Sequence, residues 1–274
     1  MSAPLPILPE DWEPTRATLH AYAHGVGAIP RAYGIAHPKW WHISLKVRPD
    51  GLITDTMPLP DGGSLLLRMD LRRDEVVLDT SSGDRQTFSM TDGLTGTEFA
   101  DRLIDAVARY GLEGEYERAK FENDEERSYD PHSAHLFFDS LVAVDQIFTE
   151  LRNDLPGPVS PIQVWPHGFD IAFEWFGTRT ESYEEDGETV EYPSQLNFGF
   201  YPSGDAYFYS NPWPFEEEAL TGHVLPGDAT WHTEGWQGSM LPYEAVAGKP
   251  DGRDQVAAYM RAVFDLASPT LTAD

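Results

Sequence analysis

The chain has 274 residues, of which 41% are hydrophobic and 12% aromatic, so it can bury a sizeable core, and extensive disorder is excluded. Its 46 acidic residues against 19 lysines and arginines give a formal net charge of −27, which disfavours nucleic acid as a partner because phosphate contacts need basic side chains. With no cysteine, no run of about 18 apolar residues and no recognisable signal peptide, the sequence predicts no thiolate site and no membrane span, and it favours a cytoplasmic location.

The first part of the chain follows the pattern helix, antiparallel strands, helix. The first helix is predicted to begin near Pro14, because proline suits the first helical position, and Leu19 and Tyr22 lie on its apolar side. A strand is predicted at 40–47, and the alternating stretches SLLLRMDL, EVVLDT and RQTFSM follow it with short turns between them. The sequence TGTE at 95–98 is typical of a capping box, so we expect the second helix to begin there.

The later part repeats this pattern after a charged segment. Residues 113–130 carry eight acidic residues and few apolar ones, which predicts an exposed linker. A helix is expected from Asp130 to about Asn153, since aspartate followed by proline is typical of a helix start. The strand sequences SPIQVWPHGFDIAFEWF, QLNFGFYP and AYFYSN follow, and a last helix is predicted from Asp251 to about Ala267.

The repeated order predicts an α+β protein of two pseudo-repeated halves, each an antiparallel β-sheet with flanking helices. The equivalent pieces are TLH near residue 20 with SAHL near 135, the strand at 40–47 with that at 169–176, and the helix at 97–110 with that at 252–267. Chance recurrence of a common α+β order is the alternative explanation. The predicted organisation is a first half at 1–112, an acidic linker at 113–130 and a second half at 131–274, forming one integrated unit.

The stretch HPKWWHISL at 37–45 is the first candidate site. Alternation along a strand places Trp41 and Ile43 on an apolar face and Trp40 and His42 on the opposite face. An indole and an imidazole together indicate a ligand contact, with His42 as a general acid or base and Trp40 stacked on the ligand. The alternative is that His42 only makes hydrogen bonds that hold the fold together.

Two further histidine groups lie on predicted helices. His20 and His24 are four residues apart and project from one helical face, a spacing that suits two metal ligands, although polar packing is the commoner role. No HExxH sequence is present, so no metal site is predicted, and any such site would use His20 and His24. His135, in the first turns of its helix, is a candidate ligand contact or base, with a bond to linker backbone as the alternative.

The strand sequence FDIAFEWF supplies the candidate carboxylates. Asp170 and Glu174 share one strand face, where acids are most often exposed to solvent. If that face lines a cleft, Asp170 orients a histidine or holds a cationic group. The aromatic runs NFGFYP and AYFYSNPWPF could line a pocket, although strand aromatics are more often core.

Several short motifs occur in a fixed order along nearly the whole chain: TLH at 18–20, WWH at 40–42, SYDPHSAH at 128–135, SP at 160–161, GFD at 168–170 and LPYEAV at 241–246. In this order they resemble a bacterial family catalogued only as a domain of unknown function. The resemblance implies a single conserved unit and no assigned reaction. It also implies a glutamine at position 24 and basic residues at 28 and 30, where this sequence has His24, Ala28 and Pro30.

The predicted function is binding of, or chemistry on, a small polar or cationic molecule in a cleft between the two halves. Its predicted lining residues are His20, Trp40, His42, His135 and Asp170. One alternative is a non-catalytic structural or interaction protein, and a second is a histidine-ligated metalloenzyme. The sequence predicts no cofactor and leaves the oligomeric state open.

Overall fold

A computed structural model describes residues 3–185, 187–202 and 204–273, which form two compact units. The first unit contains Leu8–Val142 and Gln163–Asp170, and the second contains the described residues of 1–7, 143–162 and 171–274. Residues 113–130 thus belong to the first unit, whereas the sequence predicted a separate linker between boundaries at 112 and 131. The three-part division of the sequence stays a prediction.

The first unit combines helices with an antiparallel meander. Its sheet has the order β1-β2-β4-β5-β6, with β3 paired to β4. Helix α1 packs against α2, where the rings of Tyr22 and Phe99 stack with centroids 3.9 Å apart. The elements of this unit are α1 (Glu13–Tyr33), β1 (Lys46–Arg48), β2 (Gly51–Ile53), β3 (Met57–Pro58), β4 (Ser64–Asp70), β5 (Glu75–Thr80), β6 (Arg85–Ser89), α2 (Gly96–Ala108), the start of α3 (Pro131–Asp154) and β7 (Gln163–Trp165).

The alternation predicted for β4 is confirmed, because Leu65, Leu67 and Met69 are fully buried while the residues between them are only partly buried. A strand buries every second side chain when one face meets the core. The rule fails at 40–47, where Trp41–Ile43 is a 3₁₀ helix and the strand begins only at Lys46. Trp40 has a left-handed backbone with φ of 59°, which breaks the extended chain, so the prediction of one strand carrying Trp40 and His42 on a shared face is wrong.

The capping box predicted at the start of α2 is confirmed. The Thr95 hydroxyl accepts a hydrogen bond from the Glu98 N–H at 3.1 Å, and the Glu98 carboxylate accepts one from the Thr95 N–H at 2.9 Å. These two bonds satisfy two backbone donors that the helix itself leaves without partners.

Replacing Thr95 with alanine is expected to lower the free energy of unfolding by about 1 kcal/mol, because the Glu98 N–H loses its acceptor. Chemical denaturation at pH 7 would measure the change. Thr95→Ser keeps the hydroxyl and is the matched control, for which we expect a change within about 0.5 kcal/mol. An equal loss in both variants would contradict the hydrogen-bond explanation.

The second unit contains the other antiparallel sheet, with the strand order β11-β12-β10-β9-β8. Along β10 the buried Phe208 and Ser210 alternate with the partly exposed Tyr207 and Tyr209, so one face of the sheet meets the core and the other does not. The elements of this unit are the end of α3, β8 (Asp170–Glu185), β9 (Glu188–Tyr201), β10 (Tyr207–Trp213), α4 (Glu217–Leu220), β11 (Thr230–His232), β12 (Gly238–Pro242) and α5 (Gly252–Ala267).

Helices and antiparallel sheets occur in both units, which confirms the α+β class. The order helix, strands, helix is present twice along the chain, as α1 with β1–β6 and α2, and as α3 with β8–β12 and α5. An ancient duplication as its origin stays a prediction. In the part of the chain that the structure describes, no helix is long and apolar enough to cross a membrane.

Candidate functional site

His20 and His24 form a hydrogen-bonded pair on α1. Their Nε2 atoms lie 3.0 Å apart. The Nδ1 atom of His24 is 2.6 Å from the backbone carbonyl oxygen of Lys120, and the Nε2 atom of His20 is 3.2 Å from that of His167. Because a carbonyl can only accept, we infer that His24 donates from Nδ1 and that its Nε2 accepts the Nε2–H of His20. Both rings are then neutral, and the Nδ1 lone pair of His20 faces the guanidinium of Arg16 at 3.5 Å.

The surroundings of the pair hold it in the neutral form. Burial, followed by the charges of His24 and Arg16, lowers the pKa of His20 to about 4. Burial also lowers the pKa of His24, and the hydrogen bond to Lys120 opposes that shift. The His20 ring stacks on Phe169 with ring centroids 5.5 Å apart, which adds apolar surroundings. At neutral pH the site therefore presents two uncharged imidazoles.

A cavity of about 330 Å³ lies beside this pair, wholly within the first unit. One side is formed by α1, through Arg16, His20 and His24, and the other side by the segment 119–127. A smaller cavity of about 40 Å³ shares His24 and Lys120 with it. The larger volume falls in the range of small-molecule sites. We call it the α1 pocket.

The segment 119–127 is held against the helices by one buried ring. Phe121 is 3% exposed and packs against Ala28 of α1 and Ala100 of α2. Two hydrogen bonds between Asn123 and Thr97 also hold the segment against α2. The backbone carbonyl of Asn123 accepts from the Thr97 N–H at 3.1 Å, and the Asn123 N–H donates to the Thr97 hydroxyl at 2.9 Å. The acidic composition of this segment concealed the contact, and the lone phenylalanine in AKFEN was the available signal.

Three basic side chains line the α1 pocket, and they differ in how they are paired. Arg16 is bound by the carboxylate of Glu13 at 2.7–2.9 Å. The side chain of Arg127 is only 4% exposed; its Nη2 donates to Asn123 and Glu125 and its Nη1 to the carbonyl oxygen of Ala17, while its buried Nε–H has no hydrogen-bond partner among the described residues. Lys120 has no side-chain hydrogen bond or ion pair with the described part of the chain. None of these three was predicted from the sequence as a site residue.

A family model described as a family of unknown function, DUF5996, matches residues 5–274. The chain belongs to this family. No curated protein and no solved structure matches the chain. The match covers nearly the whole sequence and confirms the resemblance that the ordered motifs indicated, and DUF5996 carries no assigned reaction.

The tryptophan and histidine of the WWH motif lie away from the α1 pocket. His42 is 8% exposed, its Nδ1 accepts the N–H of His37 at 3.2 Å, and its ring stacks on Trp40. Burial and the charge of Arg31 lower its pKa. Trp40 is 51% exposed and lies beneath the guanidinium of Arg31, 5.2 Å from the ring centroid. His42 lines neither cavity, so its surroundings favour a packing role, and its role in catalysis stays a prediction.

His135 lies in a third place, beside Asp74. Its Nε2 is 3.2 Å from a carboxylate oxygen of Asp74, and the same oxygen accepts a hydrogen bond from the Tyr129 hydroxyl at 2.8 Å. Burial and this bond raise the pKa of Tyr129, so it remains a phenol. Neither cavity is lined by His135.

Asp170 begins β8 and is partly buried; it lines neither the α1 pocket nor the smaller cavity. The candidates thus separate into His20 with His24, Trp40 with His42, and His135 with Asp74. Among the residues described, no group of three or more histidines, cysteines or acids could hold a metal ion.

Proposed function

We propose that this DUF5996 protein binds a small polar molecule with an anionic group, such as a carboxylate or a phosphate, in the α1 pocket. The observation that carries the proposal is the set of side chains around the cavity of about 330 Å³: two neutral imidazoles and the cations Arg16, Lys120 and Arg127, with Glu122 and Glu125 as the acids. The proposal keeps the small polar ligand predicted from the sequence and moves its site to α1. A cleft between two halves stays a prediction.

The charges favour an anionic group over a cation in this pocket. A chain of net charge −27 repels anions at long range, so a ligand anion needs local positive charge to bind. No carboxylate of the described residues binds the ammonium of Lys120, in contrast to Arg16, which Glu13 already neutralises. The two acids that line the cavity, Glu122 and Glu125, are each bound by an arginine, so neither is paired with Lys120.

The imidazole pair supports binding more than acid–base catalysis. A general base works best when its pKa is near the working pH, and the pKa of His20 is about 4. At neutral pH such a ring accepts protons poorly, and all four ring nitrogens of the pair already face protein partners. We therefore assign His20 and His24 to an uncharged wall of the pocket, which shapes it for the ligand.

Lys120→Ala is expected to weaken binding of the anionic ligand about tenfold or more, because a charge-assisted hydrogen bond contributes roughly 1.5–3 kcal/mol. The ligand would first be identified by thermal-shift screening of carboxylates, phosphates and uncharged polar metabolites, since a ligand raises the melting temperature by mass action. Calorimetry of the variants would then give dissociation constants.

Lys249→Ala is the matched control for Lys120→Ala. This substitution also removes one exposed lysine, but Lys249 belongs to the second unit and does not line the pocket. We expect this control variant to bind the anionic ligand as tightly as the unsubstituted protein does. Equal weakening by both substitutions, or stabilisation by cations and not by anions, would contradict the proposal.

A second candidate function is interaction with another protein, without catalysis. It is favoured by Trp40, a half-exposed indole covered by the guanidinium of Arg31, because tryptophan and arginine are enriched at the energetic centres of protein interfaces. In that case Trp40→Ala would abolish association and leave binding in the α1 pocket unchanged.

A further inference from the structure

Three aromatic rings form a compact cluster on the outward face of the sheet in the second unit. Tyr207 and Tyr209 point outward from β10, and Trp236 precedes β12. The ring centroids are 6.3 Å apart for the two tyrosines, 6.4 Å for Tyr207 and Trp236, and 6.5 Å for Tyr209 and Trp236. The three centroids therefore form a nearly equilateral triangle, and all three side chains are partly exposed.

Two glycines make room for these rings. A Cβ atom on Gly199, the residue paired with Tyr209 in the neighbouring strand, would lie 2.2 Å from the Tyr209 ring. A Cβ atom on Gly238 would lie 2.6 Å from the Trp236 ring. Covering a glycine with a cross-strand ring stabilises a sheet, which is sufficient to explain Tyr209. It does not explain why Tyr207 and Trp236 complete a triangle with their rings nearly parallel, at an angle of 12°.

The charge of the surrounding chain has one sign. No lysine or arginine occurs between Arg179 and Lys249, a stretch that contains the whole cluster. The exposed acids Asp205 and Glu234 each precede a ring of the cluster by two residues. The imidazole of His232 adds a fourth ring, 4.4 Å from Trp236 between centroids. Positive ligands are therefore attracted to this surface and anions are repelled.

We propose that this cluster is a binding site for a small organic ammonium cation with methylated nitrogen. A cation is attracted to an aromatic face when it lies within about 6 Å of the ring centroid. A methylated ammonium group seated over the centre of the triangle lies within that distance of all three rings. Aromatic cages bind quaternary ammonium ligands in this way. The site lies in the second unit, shares no residue with the α1 pocket and does not depend on the function proposed there.

Tetramethylammonium chloride is the probe that tests the site, with affinity measured by ligand-observed NMR or calorimetry in buffer of matched ionic strength. Neopentyl alcohol, which has nearly the same shape without the charge, is the ligand control. We expect saturable binding of the cation and at least about threefold weaker binding of the alcohol. Failure of the cation to saturate, or equal affinity for both compounds, would overturn the proposal.

Tyr207→Leu is expected to weaken tetramethylammonium binding about threefold or more, whereas Tyr207→Phe keeps the aromatic face and the affinity. Tyr183→Leu is the matched control, because Tyr183 is exposed on the same sheet and has no contact with the cluster rings. Trp236→Leu tests the same point if Tyr207→Leu does not fold. Affinities unchanged by loss of either ring would also overturn the proposal.

Discussion

Replacing Phe121 with alanine is expected to lower the free energy of unfolding by about 3–5 kcal/mol, the range found when a large buried aromatic side chain is truncated. The Phe121 ring is 3% exposed and is enclosed by Ala28, Ala100, Ile104 and Tyr116. Small alanine neighbours cannot extend into the space that the ring leaves, so a cavity remains and its full penalty is expected. Urea denaturation at pH 7 would measure the loss.

The same substitution is expected to open one wall of the α1 pocket. The ring fixes the segment that carries Lys120 and Arg127, and the carbonyl of Lys120 accepts the hydrogen bond of His24. Amide hydrogen exchange over 116–127 should therefore accelerate in Phe121→Ala, together with a loss of ligand affinity. Phe121→Leu preserves an apolar anchor and is the control, with an expected loss of roughly 1.5 kcal/mol or less. Unchanged stability in Phe121→Ala would show that the segment is not anchored by this ring.

Local sequence rules were sufficient for most of the first unit. Pro14 lies in the first turn of α1, the TGTE sequence forms the capping box of α2, and the alternation of Leu65, Leu67 and Met69 gives the buried face of β4. Each of these features depends on residues a few positions apart, and the physical preferences involved act over the same short range.

The WWH motif shows where such rules fail. Alternation of apolar and polar residues predicted a strand, but the left-handed backbone of Trp40 ends the extended chain and starts a 3₁₀ turn. Nothing in the alternation distinguishes the two outcomes, because the Trp40 ring is placed by contacts with Arg31 and His42 rather than by a neighbouring strand.

The candidate site was half predictable for a related reason. The spacing of four residues correctly placed His20 and His24 on one face of a helix. Their other partners are backbone carbonyls 147 and 96 positions away, at His167 and Lys120. A carbonyl carries no side-chain signal, so the sequence could not show that these rings are fixed as neutral hydrogen-bonding groups.

The stability of the protein is expected to depend on pH through His20, with a sign fixed by its lowered pKa. In the unfolded chain His20 titrates near 6.5, and in the folded protein near 4, so the unfolded state binds the proton more readily between these values. The neutral ring therefore makes its full contribution to the free energy of unfolding above pH 6.5. This contribution decreases as the pH falls and is lost near pH 4. Between pH 7 and pH 5 we expect a loss of about 2 kcal/mol from this residue.

Comparison with His20→Gln separates this residue from the other titrating groups. Glutamine keeps a hydrogen-bonding side chain but does not titrate, so its free energy of unfolding should fall about 2 kcal/mol less than that of the unsubstituted protein between pH 7 and pH 5. Chemical denaturation at several pH values gives this difference, and an NMR titration of the His20 ring gives its pKa directly. Arg16, His24 and His167, which face or contact the ring, remain in both proteins, so their own titration largely cancels in the comparison. A ring that titrates near 6.5, or equal pH dependence in the two proteins, would show that His20 is hydrated and charged in mild acid. The α1 pocket would then present a cation where a neutral ring is inferred.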